Sequence, residues 1–163
     1  MASLASASLG WICLWCFGLA VASAVFPWVN AELIVISLPS FASSRAALVV
    51  LLLVATAGHM TGKCVLYWAG RKGDRVLPER AGRAVLKWRG RLEARPSRAA
   101  VLVLLSSVTG LPPFYVMTIV AGALRMNFPL YLAAGTAGRL LRFGALVSLP
   151  QLALSFFRGG AHK

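Results

Sequence analysis

The chain has 163 residues, of which 59% are hydrophobic and only 13% are charged. Soluble domains carry about 25% charged residues, so this composition excludes an ordinary water-soluble enzyme and indicates a membrane protein. The formal net charge of +13 is also compatible with nucleic-acid binding, because basic surfaces neutralise phosphates. The position of the charges along the chain decides between these two classes.

Three long stretches contain no charged residue, namely 1–31, 46–62 and 99–124. A helix of about 20 apolar residues spans a hydrocarbon core of ~30 Å, so these stretches predict helices in a membrane. A fourth apolar stretch, 126–157, is interrupted only by Arg139 and Arg142. We therefore predict an all-α, polytopic membrane bundle that forms one domain over residues 1–163.

The first membrane helix is predicted over residues 9–29. Its end resembles a secretory cleavage site, but the basic start of a signal peptide is missing, which favours an uncleaved helix. Only 12 residues lie between Glu32 and Arg45, or ~18 Å of helix, too little to cross a bilayer. Together with a break at Pro27, this length predicts a re-entrant helix over 30–44, which must be surrounded by protein or by a water-filled cavity.

The next membrane helix is predicted over residues 46–70. Gly58 and Gly62 stand four residues apart, a spacing that lets two helices approach closely. His59 and Lys63 share one face of the same helix. His59 either faces a cavity or bonds a neighbouring carbonyl group, and we favour the second interpretation.

Ten of the 17 basic residues lie in the segment 71–98, between two apolar stretches. Apolar residues recur there at helical spacing, which predicts a basic amphipathic helix in the membrane interface. The positive-inside rule assigns this segment to the cytoplasm, and we reject a nucleic-acid partner for that reason. Four side chains are predicted to contact anionic lipid head groups: Arg75, Arg83, Lys87 and Trp88.

The stretch 99–124 is long enough to span a bilayer, but Pro112 and Pro113 lie near its centre. Proline removes a backbone donor and clashes with the preceding turn, so we predict a second broken, re-entrant segment here. The last membrane helix is predicted over residues 128–157. A broken segment followed by a longer span thus occurs twice, a pattern that points to a transport site between two repeats.

The ionisable residues inside the apolar regions are candidates for a site. Glu32 is the only acidic residue outside the segment 71–98, and Arg139 and Arg142 lie one helical turn apart. Unpaired charges facing lipid are costly, so these side chains are expected to face the interior of the bundle. Guanidinium groups bind phosphate through parallel hydrogen bonds.

We predict that the two arginines hold an anionic head group while Glu32 serves as a proton or counter-ion site. The alternative is that Glu32 forms a structural ion pair with one of the arginines. The opened proline turn is expected to offer free backbone groups. The predicted substrate- or ion-binding residues are therefore Glu32, Arg139, Arg142, Pro112, Pro113 and Tyr115.

Nothing in the sequence indicates catalysis, a cofactor or a metal ion. There is no Ser/His/Asp constellation, no pair of carboxylates and no metal-ligand spacing. Cys13 and Cys16 form a C-x-x-C pair, but no basic residue lies near them to activate a thiol. We interpret them and Cys64 as buried or lipid-facing thiols, and we expect a protein that is not an enzyme.

The chain resembles the DedA family, also called the VTT or SNARE-associated Golgi protein domain, and in particular its small YqaA-type members. The resemblance extends from about residue 17 to 154. It is carried by Phe26-Pro27 with Glu32, by the run ATAGHMTGKCVLYWAGRKG from Ala55 to Gly73, and by the run GLPPFYVMTIVAGALRMNFPLYLAAGTAGRLLR from Gly110 to Arg142.

This resemblance implies two re-entrant helices that face one another in a multi-pass protein of the bacterial inner membrane. It also implies movement of an anionic lipid or lipid-linked phosphate between leaflets, by a transporter, flippase or scramblase, coupled to protons in some members. By position, Glu32 matches the family's re-entrant acid, and Arg139 or Arg142 its later arginines. The alternative function is a non-transporting scaffold or assembly factor. The sequence leaves proton coupling and assembly into a homo-oligomer open.

Overall fold

The fold is known from a computed structural model, which describes residues 2–26, 28–72 and 96–160 of the chain. Within these ranges all regular structure is α-helical, which confirms the all-α prediction. The predicted interfacial segment, with Arg75, Arg83, Lys87 and Trp88, lies outside the described residues except at its two ends. The helices are α1 (Ala2–Val25), α2 (Ala31–Phe41), α3 (Arg45–Arg71), α4 (Pro96–Thr109), α5 (Phe114–Ala123) and α6 (Phe128–Gly160).

The second predicted break is confirmed, because α4 ends before the two prolines and α5 begins directly after them. Gly110 has a φ of +79°, a conformation that glycine adopts without the steric cost of a Cβ atom. The Leu111–Pro112 peptide bond is cis, and Pro113 occupies the N-cap position of α5. The chain therefore leaves one helix and enters the next within four residues.

The first break separates α1 from α2 between residues 26 and 30. Pro27, to which the break was attributed, lies outside the described residues. At the start of α2, the Asn30 side chain caps the helix by accepting a hydrogen bond of 2.9 Å from the Glu32 backbone N–H. Such a cap satisfies a donor that has no partner within the helix. Pro39 lies inside α2 without ending it.

Three of the helices are too short to cross a bilayer alone. α2 has 11 residues, α4 has 14 and α5 has 10, which correspond to ~16 Å, ~21 Å and ~15 Å of helix against a hydrocarbon core of ~30 Å. Among the described residues, one helix, Arg45–Arg71, is long and apolar enough to span a membrane by length and composition. The spanning roles predicted for α1 and α6 stay predictions.

The two halves of the chain pack in the same way. In the first half α1 packs along α3, and in the second half α4 packs along α6. Each short helix also contacts the long helix of the other half, since α2 packs on α6 and α5 packs on α3. The long helices α3 and α6 contact each other at the centre, so residues on their facing sides are brought together from both halves.

The predicted close approach at Gly58 and Gly62 is confirmed. A Cβ atom at Gly58 would lie 2.6 Å from the Phe17 carbonyl oxygen, and one at Gly62 would lie 2.6 Å from Ala24 Cβ. Real Cβ atoms do not approach other atoms so closely, so the contact between α1 and α3 requires glycine at both positions. The same contact fixes the end of α1 against the middle of α3.

We predict that Gly62→Ala lowers the free energy of unfolding by about 1–3 kcal/mol, because the added methyl group must push α1 away from α3. Unfolding of the detergent-solubilised protein, followed by circular dichroism, measures this loss. Gly18→Ala is the matched control, since no atom lies within 4 Å of the new Cβ and alanine is a better helix former by up to ~1 kcal/mol. An equal loss in both variants would contradict the importance of this contact.

Candidate functional site

The predicted acid and one predicted arginine form an ion pair between the two halves. The Arg142 guanidinium on α6 binds Glu32 Oε1 on α2 through both Nε, at 3.1 Å, and Nη2. Its remaining nitrogen, Nη1, donates a hydrogen bond of 2.7 Å to the carbonyl oxygen of Val108, close to the end of α4. Arg142 therefore joins the start of α2 to the end of α4.

Most backbone N–H and carbonyl groups of the proline turn already have hydrogen-bond partners in the turn or on α4. Ser106 donates its hydroxyl hydrogen to the Pro112 carbonyl oxygen, and Thr109 bonds both the N–H and the carbonyl of Leu111. The expectation that this turn offers free backbone groups is thus wrong for these atoms, because hydroxyl side chains on α4 take them up. Pro112 and Pro113 define the turn.

Arg139, one turn before Arg142 on α6, is the more deeply buried arginine, with only 8% of its surface exposed. Its guanidinium carbon lies 4.8 Å from the centre of the Phe114 ring and 5.6 Å from that of Phe143. Within the described part of the chain, its Nε has no hydrogen-bond partner. Aromatic faces attract a desolvated cation by about 2 kcal/mol, but they do not neutralise its charge.

Lys63 supplies a second buried cation, and its exposed fraction is 4%. Its ammonium group donates a hydrogen bond of 2.8 Å to the carbonyl oxygen of Ala24, close to the end of α1. The same nitrogen lies 5.8 Å from the centre of the Phe114 ring and 5.2 Å from that of Tyr115. Phe114, the first residue of α5, is therefore contacted by cations from α3 and α6.

His59, one turn before Lys63, is also buried. Its Nδ1 lies 3.3 Å from the Ser23 hydroxyl oxygen, and its ring meets the Phe143 ring edge to face at 5.8 Å. The favoured prediction, a bond to a backbone carbonyl, is wrong. The Ser23 hydroxyl itself donates to the Ala20 carbonyl, so an N–H at Nδ1 would be the donor between the two side chains.

The charges near Phe114 and Phe143 do not balance among the described residues. Lys63, Arg139 and Arg142 are three cations, and Glu32 is the one carboxylate bonded to any of them. Carbonyl oxygens orient the cations without cancelling their charge. A site with this excess of positive charge in a low-dielectric interior attracts an anion.

The two helix breaks are held in the same way. In each half, a basic side chain on the long helix donates to the carbonyl oxygen one residue before the end of the first helix: Lys63 to Ala24, and Arg142 to Val108. The last carbonyls of a helix lack intrahelical partners and carry its negative dipole end. A cation satisfies both requirements, and its recurrence supports the predicted internal repeat.

The structure brings together most of the residues that the sequence suggested. Arg139 is buried in the bundle, and Tyr115 reaches the same region through its contact with Lys63, whereas Arg142 and Glu32 form their ion pair with side chains that are 21% and 37% exposed. The sequence analysis did not identify Lys63 as a site residue. A signal was present, because Lys63 is followed by seven uncharged residues up to Gly70, and a charged residue inside an apolar helix is unusual. The rings of Phe114 and Phe143 gave no signal, because aromatic residues are common in such helices.

The described residues form an all-helical fold in which one helix is long and apolar enough to cross a bilayer, as in helical membrane proteins. The chain belongs to the VTT-domain family, also called the DedA family, because the family model for the VTT domain matches residues 19–152. This match confirms the resemblance seen in the sequence. No curated protein and no solved structure matches the chain.

We predict that Glu32 is energetically coupled to Arg142 more strongly than to Arg139. A double-mutant cycle with Glu32→Gln and Arg142→Gln should give a coupling energy of roughly 0.5–3 kcal/mol, the range for directly bonded groups. The same cycle with Arg139→Gln is the control and should give a smaller value. Thermal unfolding in detergent measures both cycles, and equal couplings would show that Glu32 does not distinguish the two arginines.

Proposed function

We propose that this protein is a DedA-type transporter, flippase or scramblase that moves an anionic lipid or a lipid-linked phosphate across the bacterial inner membrane. The family supports a membrane protein of this general kind. The observation that carries the finer proposal is Arg139, a buried arginine beside Lys63 that makes aromatic contacts and no ion pair among the described residues. No catalytic step or cofactor is part of the proposal.

The head group is held by Arg139 and Lys63, from opposite halves. The guanidinium of Arg139 offers planar, paired donors that match phosphate oxygens, and the ammonium of Lys63 adds a second charge. Both groups contact the ring of Phe114, so their charges lie near one another and add in attracting an anion. Arginine and lysine at this depth are costly without a counter-charge, and the anion supplies it.

Glu32 and Arg142 act as the gate of the site in this proposal. Their ion pair closes one side of the positively charged centre, where α2 meets α6. An anion that approaches Arg142 competes with Glu32 for the same guanidinium. Release of Glu32 would then be linked to entry of the head group, and a proton taken up by its carboxylate would favour that release.

The segment 30–44, which contains α2, and the segment 99–124, in which α4 and α5 meet at the proline turn, are proposed to be re-entrant, entering and leaving the bilayer on the same side. The short lengths of α2 and α5 and their packing against the long helix of the opposite half support this arrangement. The segment 71–98 then lies on the cytoplasmic face, where its basic residues contact anionic head groups. Membrane lipids are the proposed partners, and nucleic acid is not.

We predict that Arg139→Gln lowers the transport rate at least about tenfold, the loss that ~1.4 kcal/mol of binding energy produces. Arg139→Lys should be intermediate, because it keeps the charge but loses the planar fork. The measurement uses protein in phosphatidylcholine vesicles with a fluorescent phosphatidic acid, whose arrival in the outer leaflet is followed by chemical quenching.

Arg45→Gln is the matched control, since Arg45 is an exposed arginine at the first residue of α3, and its rate should stay unchanged. Circular dichroism and vesicle flotation establish that each variant is folded and inserted. A wild-type rate in an inserted Arg139→Gln protein would remove the proposed head-group site.

The second candidate function is a scaffold or assembly factor. The Glu32–Arg142 ion pair favours it, because a pair that only joins α2 to α6 would have the same geometry. Exchange of the charges, Glu32→Arg with Arg142→Glu, separates the two functions. A structural pair should keep its cellular function after the exchange and lose only the part of its thermal stability that the bond from Arg142 to the Val108 carbonyl supplies. An anion gate should lose transport even where stability is retained, because the carboxylate then lies on α6 beside Arg139.

A further inference from the structure

An open apolar groove runs between α1 and α2. It has a cavity volume of about 310 Å³. Its walls are Trp11, Ile12, Trp15, Cys16 and Leu19 on α1, and Ile34, Ser37, Leu38 and Phe41 on α2. The one hydroxyl among these side chains, that of Ser37, is already bonded to the Ile34 carbonyl. The surface of the groove is therefore mainly apolar, and its Ser37 hydroxyl does not need a hydrogen bond from a bound molecule.

The groove leads toward the buried cations. A narrow cleft, closed to a water-sized sphere, shares the groove's wall residue Ile34 and is lined farther in by Ala20, His59 and Phe143. Phe143 is one of the two rings beneath Arg139. Ile34 therefore lines both the groove and the cleft, and the cleft reaches the Phe143 ring that Arg139 contacts.

The groove and the contact with Lys63 occupy successive parts of α1. Lys63 bonds α1 at Ala24, close to its C-terminal end, whereas the groove follows α1 from Leu19 back to Trp11. Eight residues of helix correspond to ~12 Å. A molecule whose charged end lies beside Lys63 and Arg139 and whose apolar end follows α1 toward its N-terminus would reach this groove.

We propose that the groove seats the hydrocarbon chain of the anionic lipid whose phosphate binds at Arg139 and Lys63. This inference rests on the proposed function and adds to it the place where the apolar part of the substrate lies. Charge complementarity favours an anionic lipid as the occupant of the groove. A helix from a second copy of the protein would fill the groove without contacting the buried cations. The hydrocarbon chain of the lipid enters the groove from the bilayer side, where Trp11 and Trp15 are two-thirds exposed.

Photo-crosslinking tests the proposal on the full chain in nanodiscs of phosphatidylcholine. The probes are a phosphatidic acid and a phosphatidylcholine that carry the same diazirine-labelled acyl chain, and peptides from α1 and α2 are analysed for label. We expect at least about fivefold more label in the groove from phosphatidic acid. Arg139→Gln should abolish that difference, because the head group then has no anchor.

Ser37→Trp fills the groove from an exposed position and should lower the phosphatidic acid label at least about fivefold. Leu53→Trp, at a half-exposed site on α3, is the matched control and should leave the label unchanged. Phe41→Ala widens the groove instead of filling it, so it serves as a second variant if Ser37→Trp is poorly folded. Phe41→Ala should lower the phosphatidic acid label as well, because the widened groove contacts the acyl chain of the probe less closely.

A parallel measurement separates this inference from the proposed function. Binding of the soluble head group is followed by competition of glycerol phosphate and of inorganic phosphate with the phosphatidic acid probe. Equal groove labelling by both lipids, or full labelling in Ser37→Trp, would mean ordinary lipid contact only and would overturn the groove proposal. If neither soluble phosphate competes and Arg139→Gln changes nothing, the head-group site itself fails.

Discussion

Backbone groups that are released where a helix breaks inside an apolar bundle must find partners within the protein. This constraint governs the two helix breaks. The helices α1 and α4 each end at a break, and a carbonyl near each end is bonded by a cation from a long helix, Lys63 in one half and Arg142 in the other. The breaks therefore account for Lys63 and Arg142 as hydrogen-bond donors, and these two cations in turn hold the breaks in position.

A carbonyl oxygen satisfies a donor but leaves its charge in place. Glu32 neutralises Arg142, whereas Lys63 bonds a carbonyl and contacts aromatic rings, and Arg139 contacts aromatic rings. The solution that stabilises the interrupted helices thus produces a positively charged interior. Lys63 has two roles in the proposed function, because it bonds a carbonyl near the end of α1 and would also attract an anion together with Arg139.

The sequence predicted the helices well, because runs without charge, paired prolines and glycine spacing are local signals. It also pointed to Arg139 as a buried residue, since charge inside an apolar stretch is unusual, whereas the Glu32 side chain is 37% exposed and that of Arg142 is 21% exposed. It did not predict which arginine bonds Glu32, because the partners are 110 residues apart and both arginines lie on one helix face. The bond from Lys63 to Ala24, across 39 residues, depends in the same way on how the helices pack.

The turn after α4 has one further consequence. A Cβ atom on Gly110 would lie 3.3 Å from Arg142 Nη1, so the glycine leaves room for the guanidinium as well as permitting the positive φ. The chain reversal and the inter-half ion pair occupy one shared volume. A side chain at position 110 would have to shift the Arg142 guanidinium slightly as well as adopt an unfavourable φ, so the turn and the ion pair depend on the same glycine.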